Sequence, residues 1–111
     1  MGDKGARANA AADDAAEALV ADLQELGPVT SKRMFGGQGV FCDGVMFALV
    51  DTRGDCYLRV DDETRGAYEA AGSAAHGRMP YWTVPPHVRE DPPVLVDWAG
   101  TALEVARRAK K

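Results

Sequence analysis

The chain has 111 residues, of which 46% are hydrophobic and 27% charged, and its net charge is −4. That length fits one domain able to bury roughly two-thirds of the surface its unfolded chain exposes, and the composition is globular rather than disordered. The acidic balance argues against a dedicated nucleic-acid surface and leaves room only for a local basic patch. No apolar run reaches the length of a membrane span, and the alanine-rich, charged start does not resemble a secretory signal. A cytoplasmic protein is the simplest expectation.

Residues 1–12 read as a flexible leader, disordered or loosely helical, and 13–111 as a single domain. Asp14 and Glu17 have the spacing of a capping box, in which each side chain covers an orphan amide at a helix start. Ala16, Leu19, Val20, Leu23 and Leu26 follow at helical spacing, and Gly27-Pro28 stops the helix. From Val29 the period changes. Ser31 to Asp43 holds large apolar residues around Gly36-Gly37, which predicts a long strand bulged at that pair, or two separate strands. Asp43-Gly44 between Val40-Phe41-Cys42 and Val45-Met46-Phe47 is a strong hairpin signal, because a type I′ turn needs positive φ at both central residues. The run Val45 to Val50 is apolar throughout, so that strand is expected to be central or covered on both faces. Cys56 to Val60 alternates and completes a three-stranded antiparallel meander.

Asp61-Asp62-Glu63 places acids where a helix N-terminus favours them, predicting a helix to about Ala71 with Tyr68 as its anchor. Met79 to Val84 reads as a strand that Pro80 pushes to a sheet edge. Asp91 caps a last helix with Pro92 in its first position, and Leu95, Trp98, Ala99, Ala102, Leu103 and Ala106 line one of its faces. The order predicts a two-layer α+β domain: a three-stranded meander plus an edge strand, with three helices.

The chemical signals are sparse, and no catalytic residue or cofactor site is expected. Cys42 and Cys56 fall at opposite ends of the middle strand, too far apart for a disulfide, which needs Cα atoms within about 7 Å. Their spacing with His76 and His87 does not resemble a metal site, and both histidines are expected in exposed loops. Ser31 and Ser73 lack a nucleophile-elbow context. Gly36-Gly37-Gln38-Gly39 leads into a strand rather than a helix, so it is no phosphate loop. Lys32-Arg33 beside Met34-Phe35 is the one basic–aromatic cluster, and with Gly36 and Gly37 it forms the candidate interaction surface. Its plain reading is a strand with cations outward and apolar residues inward. The basic end of the last helix is the ordinary place for such residues.

Leu26-Gly27-Pro28-Val29-Thr30-Ser31-Lys32-Arg33-Met34-Phe35-Gly36-Gly37 resembles the hallmark of the TfoX/Sxy family N-terminal domain. Asp43-Gly44-Val45-Met46-Phe47, Tyr57-Leu58-Arg59-Val60, Met79-Pro80-Tyr81-Trp82 and Trp98-Ala99 continue the match in register. The resemblance implies a secretion-chaperone-like α+β fold, a homodimer and no enzymatic activity. It also implies a regulatory role related to transcription or competence, beside a transcription-regulatory protein partner. Family members with that role carry a second domain after the last helix, which this sequence does not show. The family has a longer segment between Gly72 and Met79, so the short Ser73–Arg78 stretch predicts a stunted or missing strand there. The expectation is therefore a non-enzymatic regulatory or protein-interaction domain. A weak nucleic-acid-associated regulator using Lys32, Arg33 and the basic tail is the alternative, followed by a small-molecule-binding domain.

Overall fold

The computed structural model describes the backbone of residues 3–34 and 36–110, and the side chains of 10–34 and 36–109. Five antiparallel strands follow in sequence order across one sheet: β1 (Val29–Met34), β2 (Gly37–Cys42), β3 (Val45–Val50), β4 (Cys56–Arg59) and β5 (Tyr81–Thr83). Four helices accompany them: α1 (Asp3–Asp22), α2 (Arg65–Ala70), α3 (Pro86–Arg89) and α4 (Pro92–Lys110). The long helices α1 and α4 cover one face of the sheet, α1 against β1 to β3 and α4 against β3 and β4. This is an α+β fold of two layers.

Several sequence expectations are corrected. Helix α1 begins at Asp3, within the stretch read as a leader, so the Asp14 and Glu17 pair sits in mid-helix and caps nothing. Alanine is the strongest helix former, and the run Ala10–Ala12 carries the helix back until Ala12 itself is buried in the core. Gly36-Gly37 is no bulge in a long strand. Met34 pairs with Gly37 across a tight hairpin, and Gly36 has φ +81°, so two strands stand where one or two were open. Helix α2 starts at Arg65 rather than among the acids before it, because the Asp61 carboxylate accepts the N–H groups of Glu63 and Thr64 and forms a turn. Helix α3 is an additional short element after Pro85.

The Asp43-Gly44 turn follows its expectation, with φ of +52° and +79° at the two positions. Pro80 directly precedes edge strand β5, and Pro92 opens α4. The segment before β5 is reduced to one bridge, Ala75 to Trp82, supported by the Thr83 N–H donating to the Ala74 carbonyl. Both cysteines are free. Cys42 pairs with Val45 and Cys56 with Val50, at the two ends of β3.

The bulge in this sheet lies elsewhere. Val40 pairs with Ala48 while Phe41 pairs with Met46, which leaves Phe47 as an extra residue on β3. An extra residue shifts the alternation of side chains by one. Phe47, Ala48 and Val50 consequently all join the helix-side core, which also holds Leu19, Leu23, Val40, Leu58 and Leu95. Met46 and Leu49 belong to a separate small cluster with Tyr57 and Tyr81 on the opposite face.

Candidate functional site

That opposite face is the open side of the sheet, and the strand register decides what it shows. Val29 belongs to the helix-side core, so alternation turns Thr30, Lys32 and Met34 to the open side. Their partners Phe41, Gly39 and Gly37 share that side. On β3 it presents Met46 and Leu49; on β4 and β5, Tyr57, Arg59 and Tyr81.

Two glycines keep the surface low between β1 and β3. A Cβ on Gly37 would lie 2.1 Å from the Val50 carbonyl oxygen, so the backbones meet where no side chain fits. A Cβ on Gly39 would lie 3.0 Å from the Met34 sulfur, within the space Met34 itself occupies. The result is a groove of about 470 Å³ with Met34 on one side, Met46 and Leu49 at the floor, and His76 and Met79 on the other side. Met79 is the one exposed large hydrophobic residue among the described residues, at 41%. Methionine side chains are unbranched and polarizable and adapt to varied apolar shapes, which suits a docking surface.

The far wall comes from the segment before β5. The His76 N–H donates to the Tyr81 carbonyl at 2.8 Å, and the imidazole meets the Tyr57 ring edge-on at 4.9 Å. His76 is thus half-buried in this wall, not an exposed loop histidine. Below it the Tyr57 hydroxyl donates to Asp51 Oδ2 at 3.0 Å, and Asp51 Oδ1 accepts the N–H groups of Arg53 and Asp55. Partial burial pushes the Asp51 carboxyl up. The hydrogen bonds from Asp55, Tyr57 and Arg53 outweigh that and hold it below the usual carboxylate value. Tyr57 is raised by its burial first and by Asp51 second. These polar groups brace the β3–β4 turn and fix the groove's rim.

The residues singled out from sequence separate here. Lys32 and Met34 stand on the open face, and Gly37 forms part of the groove. Gly36 lies in the hairpin turn, where a Cβ would approach the Thr52 methyl at 2.9 Å. Arg33 points the other way. Its guanidinium binds Asp13 of α1 at 2.8 Å, and Asp13 also accepts the Gln38 amide at 2.6 Å. Phe35 lies outside the described residues. Sequence reading missed Met46, Leu49, His76, Met79 and Arg59. The signal for the first two was present in the apolar run of β3, whose two faces both need apolar neighbours. Its reading as covered on both sides hid the groove.

Among the described residues, no three His, Cys, Asp or Glu side chains converge as metal ligands would, and no helix is long and apolar enough to cross a membrane. Comparison with curated proteins finds no significant match. The family model described as the TfoX N-terminal domain matches residues 21–106, from the end of α1 to the last turns of α4. The open sheet, the groove and most of the closing helix thus fall inside one match, and the chain belongs to the TfoX N-terminal domain family.

Proposed function

We propose that this chain is a non-enzymatic, cytoplasmic regulatory or protein-interaction domain of the TfoX/Sxy type, whose partner docks on the open face of the sheet. The observation that carries the reading is the methionine-lined groove, an apolar depression on a face that the long helices leave uncovered. The polar groups beside it support the same reading. Asp51 is saturated by three donors and His76 is packed on Tyr57, so both are occupied in structure. A transcription-related partner and a homodimer belong to the same proposal. Strand β1 is a sheet edge, and edges are available for strand pairing.

The nucleic-acid reading draws less support, because much of its basic patch is already matched. Arg33 is bound to Asp13, Arg107 lies 3.7 Å from Asp43, and Arg108 lies 3.4 Å from Asp61.

The test is to purify the chain with its partner from the host and map contact by hydrogen exchange, for wild type and Met34→Glu. Expected are protection confined to β1 to β3 and loss of the complex in the variant. Protection on α1 and α4 with an intact Met34→Glu complex would reject the open face. Turnover of a small molecule by purified protein would reject the non-enzymatic reading. Sedimentation showing only monomer at micromolar concentration would remove the homodimer.

A further inference from the structure

The chain holds four methionines, and the three after Met1 all line the open-face groove. They come from separate places in the fold: Met34 ends β1, Met46 is second in β3, and Met79 precedes β5. Met34 and Met46 are half-buried and Met79 is exposed, so none of the three is sealed in a core.

One row of the sheet sets their spacing. Gly39, Leu49 and Tyr57 pair in line across β2, β3 and β4. The Met34 sulfur lies over Gly39, 3.0 Å from where a Cβ would stand there. At the other end of the row the His76 ring meets Tyr57 edge-on at 4.9 Å. The Met79 N–H donates to the His76 carbonyl at 3.1 Å, so a single turn holds Met79 beside the imidazole. Met46 packs against the cluster of Leu49, Tyr57 and Tyr81 that floors the space between. Two strand spacings, about 10 Å, separate the backbones at the ends of that row. Unbranched methionine chains with three rotatable bonds reach inward across such a gap.

The donors left free are of one chemical kind. His76 uses its backbone N–H and carbonyl on Tyr81 and Met79, and neither imidazole nitrogen has a hydrogen-bond partner among the described residues. Asp51 is the one carboxylate on the groove's walls, and its oxygens already accept the Tyr57 hydroxyl and two backbone N–H groups. Hard cations, which need several free oxygens, find too small a ligand set here. Zn(II) takes thiolate, imidazole and carboxylate, and no cysteine lines the groove. Thioether sulfur beside imidazole is instead the donor set of a soft cation, Cu(I).

We propose that the groove is a soft-metal site, in which the sulfurs of Met34, Met46 and Met79 and an imidazole nitrogen of His76 bind one Cu(I) ion. The inference goes beyond the docking reading, because it uses the sulfur of these side chains rather than their apolar bulk. It concerns binding alone, with no change of oxidation state. Leucine in place of methionine separates the two uses, since it keeps the volume and removes the sulfur.

The test titrates the full, reduced chain with Ag(I), a redox-inert stand-in for Cu(I), and follows isotope-labelled methionine methyl groups by NMR. The methyl signals of Met34, Met46 and Met79 should shift together and saturate at one equivalent, a result that needs no variant. Cu(I) affinity is then read without oxygen, by competition with a chromophoric Cu(I) chelator. Met34→Leu, Met46→Leu, Met79→Leu and His76→Phe, which keeps a ring against Tyr57, should each weaken Cu(I) about tenfold or more. Even an outer-shell partner of a metal ligand carries that much. Cys56→Ser, which removes the half-buried thiol of the opposite face, should leave the affinity unchanged. Thermal melts of the variants separate lost binding from lost fold.

Silver that moves none of the three methyl signals overturns the proposal. Cu(I) binding lost in folded Cys56→Ser and kept in the leucine variants also overturns it, as a thiol site. Zn(II) bound as tightly as Cu(I) overturns the soft-cation assignment. Complete loss of the metal to an equimolar chelator marks an adventitious ion only and overturns it as well. Partner docking kept in the leucine variants while Cu(I) is lost supports the proposal and shows that the two uses of the groove are separate.

Discussion

Met46 and Phe47 are neighbours in one strand, yet they belong to different parts of the molecule. Phe47 is fully buried beneath the helices, while Met46 is half-buried at the floor of an open groove. The bulge at Phe47 sharpens the division. It turns two consecutive side chains, Phe47 and Ala48, into the helix-side core, and leaves Met46 and Leu49 to the other face. Apolar residues on the covered face hold the fold together by burial. Those on the open face remain available to something else. Hydrophobicity alone does not tell a core residue from a docking residue; the strand register and the placement of the helices do.

The largest expected effects test that division directly. Phe47→Ala should cost about 3–5 kcal/mol of stability in urea denaturation, the transfer and cavity cost of a buried aromatic. Met46→Ala should cost only about 1 kcal/mol, since part of its surface is already in water, while removing part of the groove floor. Comparable losses at both positions would mean the open face is a second core. Gly37 and Gly39 give the next comparison. Gly37→Ala puts a methyl group into the Val50 carbonyl and should cost more than about 2 kcal/mol. Gly39→Ala meets the movable end of Met34 and, at 3.1 Å, the edge of the Phe41 ring, so a smaller cost of about 1 kcal/mol is expected.

Much of this fold was legible because local chemistry and tertiary structure agree. Asp43-Gly44 demands its turn, Asp91-Pro92 opens its helix, and the alternation of Cys56 to Val60 fits a strand with two unlike sides. The failures share a cause, which is that tertiary contacts outrank local signals. Asp14 and Glu17 carry a cap signature, but alanine propensity and the burial of Ala12 extend the helix past them. Lys32 and Arg33 read as one basic patch, but alternation sends Lys32 to the open face and Arg33 to Asp13 on the other.

A smaller effect probes the groove's rim. Asp51 is held below its ordinary carboxyl value in the folded chain. Such a group adds stability that is full at neutral pH and fades as pH falls from about 4 through the folded value. Asp61 shifts in the same direction, through the Thr64 N–H first. Asp51→Ala should therefore lower stability at pH 7 by about 1–3 kcal/mol, the loss of a carboxylate accepting three hydrogen bonds. Its unfolding midpoint should also depend less on pH between 5 and 3 than the wild type's, with pH taken about one unit either side of the ordinary value. An unchanged acid profile would mean that the turn holds without the carboxylate.

The smallest effect concerns the covered face alone, and no stability change is needed to see it. Cys42 is fully buried beneath the turn after α1, with its thiol 3.8 Å from the Leu26 carbonyl, whereas Cys56 is half-buried beside Ala15 and Arg89. Burial raises both thiols above their ordinary value, so little of the reactive thiolate is present near neutral pH. Iodoacetamide should then label Cys56 slowly and Cys42 more slowly still, with the Cys42 rate rising in step with urea as the structure opens. A ligand bound in the methionine groove sits across the sheet from both thiols. It should slow Cys42 only as far as it stabilises the whole fold, and should leave local access to Cys56 as it was. Direct protection of Cys56 by such a ligand would place the docking site on the helix side, and the division between the two faces would fail.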